Sequence, residues 1–340
     1  MVLLQYSHHQ NQNQSGSNDS GLPSIKRGRL LENIRADLIA ASGEFIGTLM
    51  FLLMGLGGIQ AAKTFTLNNP EPCAPSAAPV GNLNLLLYVS TSMGLSLLFS
   101  AWVFYRATGA AFNPNVSFAL LLVGVLTPMR FLLYCVAQFS ASIAASALLL
   151  ALLPGPLTVS TTLGSGTNRA QGLFIEGFIT CALVLSVLFL AAEKHRGTYM
   201  APLGIGLTLF ACHLFAVVYT GAGMNTARSF GPAVITGFET EHWIYWLGPT
   251  LGSLLAVAIY AVEKRVKYWK VNEGQDTDVP SESPKLFLNQ VMAQRNEQVG
   301  TNQVLNKHIS HKVEWPTHIR NKSATRDDIY LEENHEESSV

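Results

Sequence analysis

The chain has 340 residues, of which 49% are hydrophobic and 13% are charged, and its formal net charge is zero. Soluble domains carry about 25% charged residues, so the composition argues against a soluble protein. The charges are concentrated in residues 1–36 and 263–340 and are sparse between Leu38 and Val262. The sequence contains no basic patch, and we therefore expect no nucleic-acid partner.

The apolar middle of the chain contains six segments long enough to cross a bilayer, which takes roughly 20 residues. We therefore predict an all-α membrane protein with a membrane domain over residues 37–264. The polar residues 1–36 are expected to form a disordered tail without a cleavable signal, and residues 265–340 a largely flexible tail. In chain order the six segments are about 39–61, 84–106, 129–153, 171–192, 199–219 and 242–263.

Lys and Arg are unevenly distributed around the predicted helix ends. The sparse set of flanks holds Lys63 and Arg169. Because cytoplasmic flanks are enriched in Lys and Arg, we expect both termini in the cytoplasm and take the plasma membrane as the default location. The rich set of flanks holds Lys26, Arg27, Arg29, Arg35, Arg106, Arg130, Lys194, Arg196, Lys264, Arg265, Lys267 and Lys270.

The cysteines show neither metal-ligand nor disulfide spacing. Cys73 lies in the first predicted outside loop, and Cys135, Cys181 and Cys212 lie within predicted spans. We interpret the last three as buried apolar thiols. The sequence thus predicts no metal site and no cofactor.

The two halves of the membrane domain resemble each other. "GEFIGTLMF" and "IEGFITCALV" place Glu44 and Glu176 a few residues into apolar helices, and "GAAFNPNVSF" (109–118) and "GAGMNTARSF" (221–230) follow the second and fifth spans. The repeats cover about 39–153 and 171–263. Three spans per repeat invert the second copy, and inverted repeats with interrupted segments are typical of transport sites near the midplane.

Each of these two motifs is followed by about three turns of apolar helix, which is too short to cross a bilayer. We predict two re-entrant half-helices with Asn113 and Asn225 as N-caps and Pro114 at the first helical position. With the side-chain oxygens engaged in capping, the amide NH2 groups are expected to be fixed donors facing a cavity. The positive ends of the two half-helices would oppose cations and protons there.

These features are similar to those of the aquaporin family (major intrinsic proteins), in which twin Asn-Pro-Ala boxes head two half-helices. The resemblance covers about residues 39–263 and is carried by "GEFIGT", "GAAFNPNV", "HLFAVVYTGAGMNTARSFGPAV" and "HWIYWLGPTLGS". It implies six transmembrane helices plus two half-helices in an aquaporin-like channel domain, and a homotetramer with one pore per subunit. It also implies a central constriction formed by Asn113, Pro114, Asn115, Asn225, Thr226 and Ala227.

Both boxes depart from the family pattern. Asn115 stands where the family has alanine, and Thr226 stands where it has proline. Thr226 is expected to affect packing more than mechanism. Asn115 is either a satisfied amide where the half-helices cross or an extra polar group that alters the pore.

Arg228 is a charge in apolar surroundings, and such residues are usually functional. The resemblance implies that it lines an outer selectivity filter with Met93, His213 and Ala222. Family water channels have the His and Arg pair, whereas glycerol channels usually carry a small residue in place of the histidine. Met93 is a departure, because water-selective members usually have an aromatic residue there.

The resemblance therefore implies a passive water channel that excludes ions and protons, with hydrogen peroxide as a plausible second permeant. A channel that also passes glycerol is the alternative. A coupled secondary transporter and a membrane-bound enzyme are the competing classes, but the sequence offers no nucleophile–base pair or phosphate loop for an enzyme.

Two features leave alternatives open. Glu44 and Glu176 are expected to bind the backbone of the re-entrant loops, and proton relay is their other interpretation. His195, in "AAEKHRGTYMAP", is a candidate pH sensor at the inner pore mouth or part of a solvated positive cluster. The tail of residues 1–36 is a candidate plug, so its deletion is expected to raise permeability.

Overall fold

The computed structural model describes residues 27–68, 83–272 and 274–275, with side chains from Ile34 onward. The described residues are helical or irregular, and none of them forms a strand. A π-helical turn at Leu188–Ala192 continues the α-helix Arg169–Val187, and short 3-10 helices occupy Arg196–Met200 and Tyr268–Lys270. The α-helices are α1 (Arg27–Asn68), α2 (Leu83–Thr108), α3 (Pro114–Leu122), α4 (Pro128–Leu152), α5 (Arg169–Val187), α6 (Ala201–Thr220), α7 (Thr226–Thr236) and α8 (Ile244–Arg265).

Within this described part of the chain, six helical segments are long and apolar enough to cross a membrane, and they coincide with the six predicted spans. The helices α3 and α7, of 9 and 11 residues, are too short to do so. The prediction of an all-α membrane fold with six spanning helices and two half-helices is confirmed.

The ends of the first helix differ from the prediction. Residues 27–36 were expected to be disordered and residues 62–68 to lie in a loop, but α1 includes both. Its N-terminal part, "RGRLLENIRADLIAAS", has no proline and is rich in Leu, Arg and Ala, which favour helix. Hydropathy detects the membrane-embedded part of such a helix and misses its polar extensions. Residues 1–26, the loop with Cys73, and most of the C-terminal tail lie outside the described residues.

Each half-helix contacts a spanning helix of the opposite half of the fold. In the first half α1 packs against α2 and α4, and in the second half α5 packs against α6 and α8. The half-helix α3 contacts α8 of the other half, and α7 contacts α4. The two irregular segments that precede α3 and α7 thereby meet in the middle of the bundle.

The two halves also touch directly through α2 and α6. A Cβ on Gly94 would lie 3.1 Å from the Gly206 carbonyl oxygen, and a Cβ on Gly206 would lie 2.9 Å from the Gly94 oxygen. Any side chain at either position would force the helices apart. Small residues commonly allow this kind of close helix contact in membranes.

Candidate functional site

The loop before α3 is held by one buried carboxylate. Glu44 accepts hydrogen bonds from the backbone N–H of Ala111 (3.1 Å) and of Phe112 (2.8 Å). It also accepts from the Thr108 hydroxyl (2.6 Å) and the Gln138 amide (2.9 Å). Both of its oxygens therefore accept two hydrogen bonds each, which satisfies a fully buried carboxylate.

Glu176 occupies the equivalent place in the second half. It accepts from the backbone N–H of Gly223 and of Met224, each at 2.8 Å, and from the Thr220 hydroxyl at 2.6 Å. Met224 and its counterpart Phe112 both have left-handed backbone conformations, with φ of 53° and 49°. This conformation is unfavourable for a residue with a side chain, and the carboxylates stabilise it at both positions.

Each predicted asparagine cap is present in the structure. The side-chain oxygen of Asn113 accepts from the Asn115 backbone N–H at 2.9 Å, and that of Asn225 accepts from the Arg228 backbone N–H at 3.1 Å. Both asparagines have extended backbone conformations and directly precede their half-helices. This is the geometry expected of an N-cap.

The amide NH2 groups connect the two loops. Asn113 donates to the Met224 carbonyl and Asn225 donates to the Phe112 carbonyl, each at 2.8 Å. The expectation that the whole NH2 group faces a cavity therefore needs correction. One of its two hydrogens is used by the opposite loop, because the left-handed turns direct these carbonyl oxygens at the caps, and one hydrogen remains for other acceptors.

A narrow cavity runs past these caps. The space in it that can hold the centre of a water-sized sphere is about 20 Å³. Of the predicted site residues, Asn113, Asn225, Met93 and Arg228 line this cavity, whereas Pro114, Asn115, Thr226, Ala227, His213 and Ala222 do not. The other lining residues are Phe51, Leu97, Ala110, Ala111, Phe112, Val116, Leu183, Val187, Ile205, Leu209 and Gly223.

Two buried side chains, Arg228 in the cavity lining and His213 outside it, have polar atoms that lack a protein partner among the described residues. The Arg228 guanidinium donates from Nη1 to the Val159 carbonyl at 2.9 Å, and its Nε has no partner. The His213 ring contacts the Leu209 carbonyl through Nδ1 at 2.9 Å, and its Nε2 has no partner. Buried polar atoms normally bind a protein group or an ordered water.

The histidine contact fixes its tautomer. A carbonyl oxygen can accept but not donate, so Nδ1 of His213 carries the hydrogen that binds Leu209. In the neutral ring Nε2 is then an acceptor. With a neutral ring, His213 therefore presents an acceptor and Arg228 a donor.

Asn115 lies behind the cavity wall. Its side-chain oxygen accepts two hydrogen bonds from Thr226, and its side chain is buried. This geometry agrees with the first interpretation, a satisfied amide where the half-helices cross.

The segment whose carbonyl binds Arg228 is itself held by the first helix, which the sequence did not predict. Gln60 and Lys63, in the last turns of α1, bind the segment that contains Val159. Gln60 donates to the Pro156 carbonyl (3.1 Å) and accepts from the Thr158 backbone N–H (2.8 Å), and Lys63 donates to the Thr158 carbonyl at 2.5 Å. The available signal was Lys63 itself, a cation on the flank where cations are rare.

His195 lies in a different part of the molecule. Its Nδ1 accepts from the Gly197 backbone N–H at 3.0 Å and caps the 3-10 helix Arg196–Met200. Two residues earlier, Glu193 accepts from the Tyr260 hydroxyl at 2.6 Å and from the Lys264 ammonium at 2.8 Å. None of these residues lines the cavity described above.

The same arrangement is known from one protein family. The family model of the major intrinsic proteins matches residues 32–260 of the chain, which is well over half of its length. The chain belongs to the major intrinsic protein family. The expected resemblance is thereby confirmed, and this member of the family is an integral multi-pass membrane protein.

Individual relatives agree with this assignment. Aquaporin-1 of Laccaria bicolor is 58% identical over 256 residues, which cover 75% of this chain and 80% of the relative. Aquaporin-1 of Gibberella zeae is 45% identical over 247 residues, which cover 73% and 76% of the two chains. The solved structure of the aquaglyceroporin from Plasmodium falciparum has a TM-score of 0.55 and 18% identity, and the match covers 68% of this chain and 99% of that one. This last likeness supports the fold alone.

Proposed function

We propose that this major intrinsic protein is a passive water channel whose pore passes between Asn113 and Asn225 and leaves through a filter at His213 and Arg228. The observation that carries the proposal is a narrow cavity lined by both caps and by Arg228, together with two buried polar atoms without a protein partner among the described residues, His213 Nε2 and Arg228 Nε. Water is both a donor and an acceptor, so it can satisfy either kind of atom.

The asparagine caps support selectivity against charged species. Each amide keeps one hydrogen that the opposite loop does not use, and the two come from opposite half-helices. A water that accepts from these donors has its own hydrogens turned away from them. The two helix N-termini carry partial positive charge, so a cation or hydronium ion meets an electrostatic barrier.

Hydrogen peroxide offers the same donor and acceptor groups as water and differs little in width. We propose it as a second permeant of the same pore. Met93 favours the broader alternative, a channel that also passes glycerol. Its thioether is flexible and occupies a filter position where an aromatic ring would be stiffer.

The orientation and assembly of the channel belong to the same proposal. The asymmetry of Lys and Arg around the spans supports cytoplasmic termini, and the plasma membrane remains the default location. Family membership supports a homotetramer in which every subunit has its own pore. The Gln60, Lys63 and Arg228 end of the bundle would then face outward, and Glu193 and His195 would face the cytoplasm.

The test is a parallel stopped-flow measurement of water and glycerol permeability in proteoliposomes, with wild type and His213→Ala. We expect wild type to conduct water well above empty liposomes and to exclude glycerol. His213→Ala widens the filter and removes its acceptor, so glycerol flux should rise from background while water flux persists. Glycerol flux in wild type equal to that in His213→Ala would contradict a filter at this position and favour the broader channel.

A further inference from the structure

The two departures from the family boxes are in contact with each other. The Asn115 side-chain oxygen accepts from the Thr226 backbone N–H at 3.0 Å and from the Thr226 hydroxyl at 2.8 Å. Asn115 is 4% exposed and Thr226 is 3% exposed. One acceptor in the first box therefore satisfies the backbone donor of the second box, in a region that the surrounding helices shield from solvent. It shares the single hydrogen of the Thr226 hydroxyl with the Tyr245 carbonyl, which lies 3.0 Å from that hydroxyl.

The need for this acceptor follows from helix geometry. The first backbone N–H groups of a helix have no partner within the helix. In α3 the first residue is Pro114, which has no N–H. In α7 the first residue is Thr226, whose N–H requires an outside acceptor. A proline at position 226 would remove this donor, and an alanine at position 115 would remove the acceptor.

The same two residues connect both half-helices to α8. The Thr226 hydroxyl lies 3.0 Å from the Tyr245 carbonyl, and the Ser253 hydroxyl donates to the Asn115 carbonyl at 3.0 Å. The Asn115 amide contacts the Thr250 hydroxyl at 3.4 Å. The Asn115–Thr226 contact is thus the centre of a polar cluster that joins α3, α7 and α8.

This cluster lies directly beside the caps. Thr226 follows Asn225 in sequence, and the Asn115 backbone N–H is the group that the Asn113 oxygen accepts from. Neither Asn115 nor Thr226 lines the cavity. We therefore expect any effect of the pair on permeation to act through neighbouring lining residues, first of all Asn113 and Asn225.

We infer that Asn115 and Thr226 form one matched positioning unit that sets the relation between the two caps, so that each residue requires the other. The unit replaces the alanine and proline of the family boxes as a pair. Exchange of one member leaves a buried donor or acceptor unsatisfied. Exchange of both members restores a consistent set, with Asn-Pro-Ala in both boxes.

The test is a double-mutant cycle on full-length protein with Asn115→Ala, Thr226→Pro and the double variant. The first readout is the Tm of the purified channel, which does not depend on what permeates. Each single variant should lower Tm by about 3 °C or more, as expected for an unsatisfied buried polar group. The double variant should recover most of this loss instead of adding the two.

The second readout is water permeability and proton leak per channel in proteoliposomes, and its interpretation rests on the proposed function. Single variants should show reduced water flux and raised proton leak, and the double variant should return both toward wild type. The milder Thr226→Val keeps the backbone N–H but loses the hydroxyl, whereas Thr226→Ser keeps both donors. Thr226→Val should therefore lower Tm by less than Thr226→Pro, and Thr226→Ser should match wild type.

Additive losses of Tm in the double variant, or wild-type Tm in both single variants, would overturn the matched unit. If a single variant does not fold, recovery of folding in the double variant supports the unit and failure of the double variant opposes it. A wild type without water flux above empty liposomes would refute the proposed function, while the Tm cycle would still decide whether the two residues act together.

Discussion

At the scale of single residues, Met93 is positioned by the absence of a side chain at Gly55. An ideal Cβ on Gly55 would lie 2.7 Å from the Met93 sulfur and 2.8 Å from the Ser96 hydroxyl. Real Cβ contacts are longer than this, so a side chain there would displace the end of Met93. Met93 is 1% exposed and lines the cavity, and the space over Gly55 accommodates its sulfur.

Gly55→Ala should therefore narrow the proposed pore. We expect water permeability per channel to fall roughly two- to tenfold, because a cavity with room for single waters has no width to spare. Stopped-flow shrinkage of proteoliposomes at matched protein content measures this. Gly57→Ala is the matched control, since its Cβ would make an ordinary contact of 3.4 Å with Leu149. Unchanged flux in Gly55→Ala, or no recovery when Met93→Ala is added to it, would contradict this account of Met93.

Several residues of the site follow from the sequence by local rules. Asn113 and Asn225 are recognisable as N-caps because an asparagine, a short helix and flanking small residues occur twice. Glu44 and Glu176 are recognisable because a carboxylate in an apolar helix requires donors. The cross-loop bonds of the two amides and the tautomer of His213 are not predictable in this way, since they depend on which distant carbonyl comes within reach.

At the scale of elements, the end of α1 supports the filter through the segment 156–159. Gln60 and Lys63 bind three backbone groups of this segment, and the next carbonyl along it, that of Val159, binds Arg228. The proposed filter arginine is thus held by a helix that does not contain it. Helix propensity and hydropathy carry no information on such a contact, which explains why the sequence did not indicate it.

Lys63→Met tests this support because methionine keeps the apolar stem and loses the donor. We expect the Val159 segment to become more mobile and the discrimination between water and glycerol to weaken, so that the ratio of glycerol to water permeability rises roughly two- to tenfold for a lost charged hydrogen bond. Arg169→Met is the control, because Arg169 is an exposed cation whose ion pair with Glu241 lies at the surface. Equal permeability ratios in the two variants would show that Lys63 does not support the filter.

Glu193 connects the turn after α5 to α8, because it accepts hydrogen bonds from Tyr260 and Lys264. Burial raises the pKa of Glu193, but hydrogen bonds from Lys264 and Tyr260 outweigh it, with a smaller contribution from His195, so the pKa lies below its ordinary value of 4.5. A lowered carboxylate pKa means that the contact stabilises the fold above about pH 4.5 and loses its contribution as the pH falls through the lower, folded value.

Hydrogen exchange of residues 193–200, corrected for the intrinsic pH dependence, should therefore show protection that declines as the pH falls below about 4.5. Lys264→Met should reduce this protection already at neutral pH. Glu239→Gln, a change at an exposed carboxylate, serves as the control and should leave the profile unchanged. Full protection in Lys264→Met at neutral pH would show that Glu193 does not hold this turn.

At the scale of the whole molecule, each half-helix contacts the opposite half of the fold, so both halves together form the proposed pore. The half-helix α3 contacts α8, α7 contacts α4, and each cap donates to the loop of the other half. The six spans were readable from the sequence because they depend on periodicity and length. The contacts of each half-helix with the opposite half were not readable from the sequence, because contacts of re-entrant segments depend on tertiary packing.

The central claim is passive conduction of water past two caps that exclude protons. The most direct measurement is osmotic water flux and proton flux of the full-length wild type in the same proteoliposomes, the second under an imposed pH gradient with the membrane potential clamped. We expect fast water flux with a weak temperature dependence and a proton flux equal to that of empty liposomes. Water flux at the level of empty liposomes, or proton flux that rises in step with water flux, would contradict it.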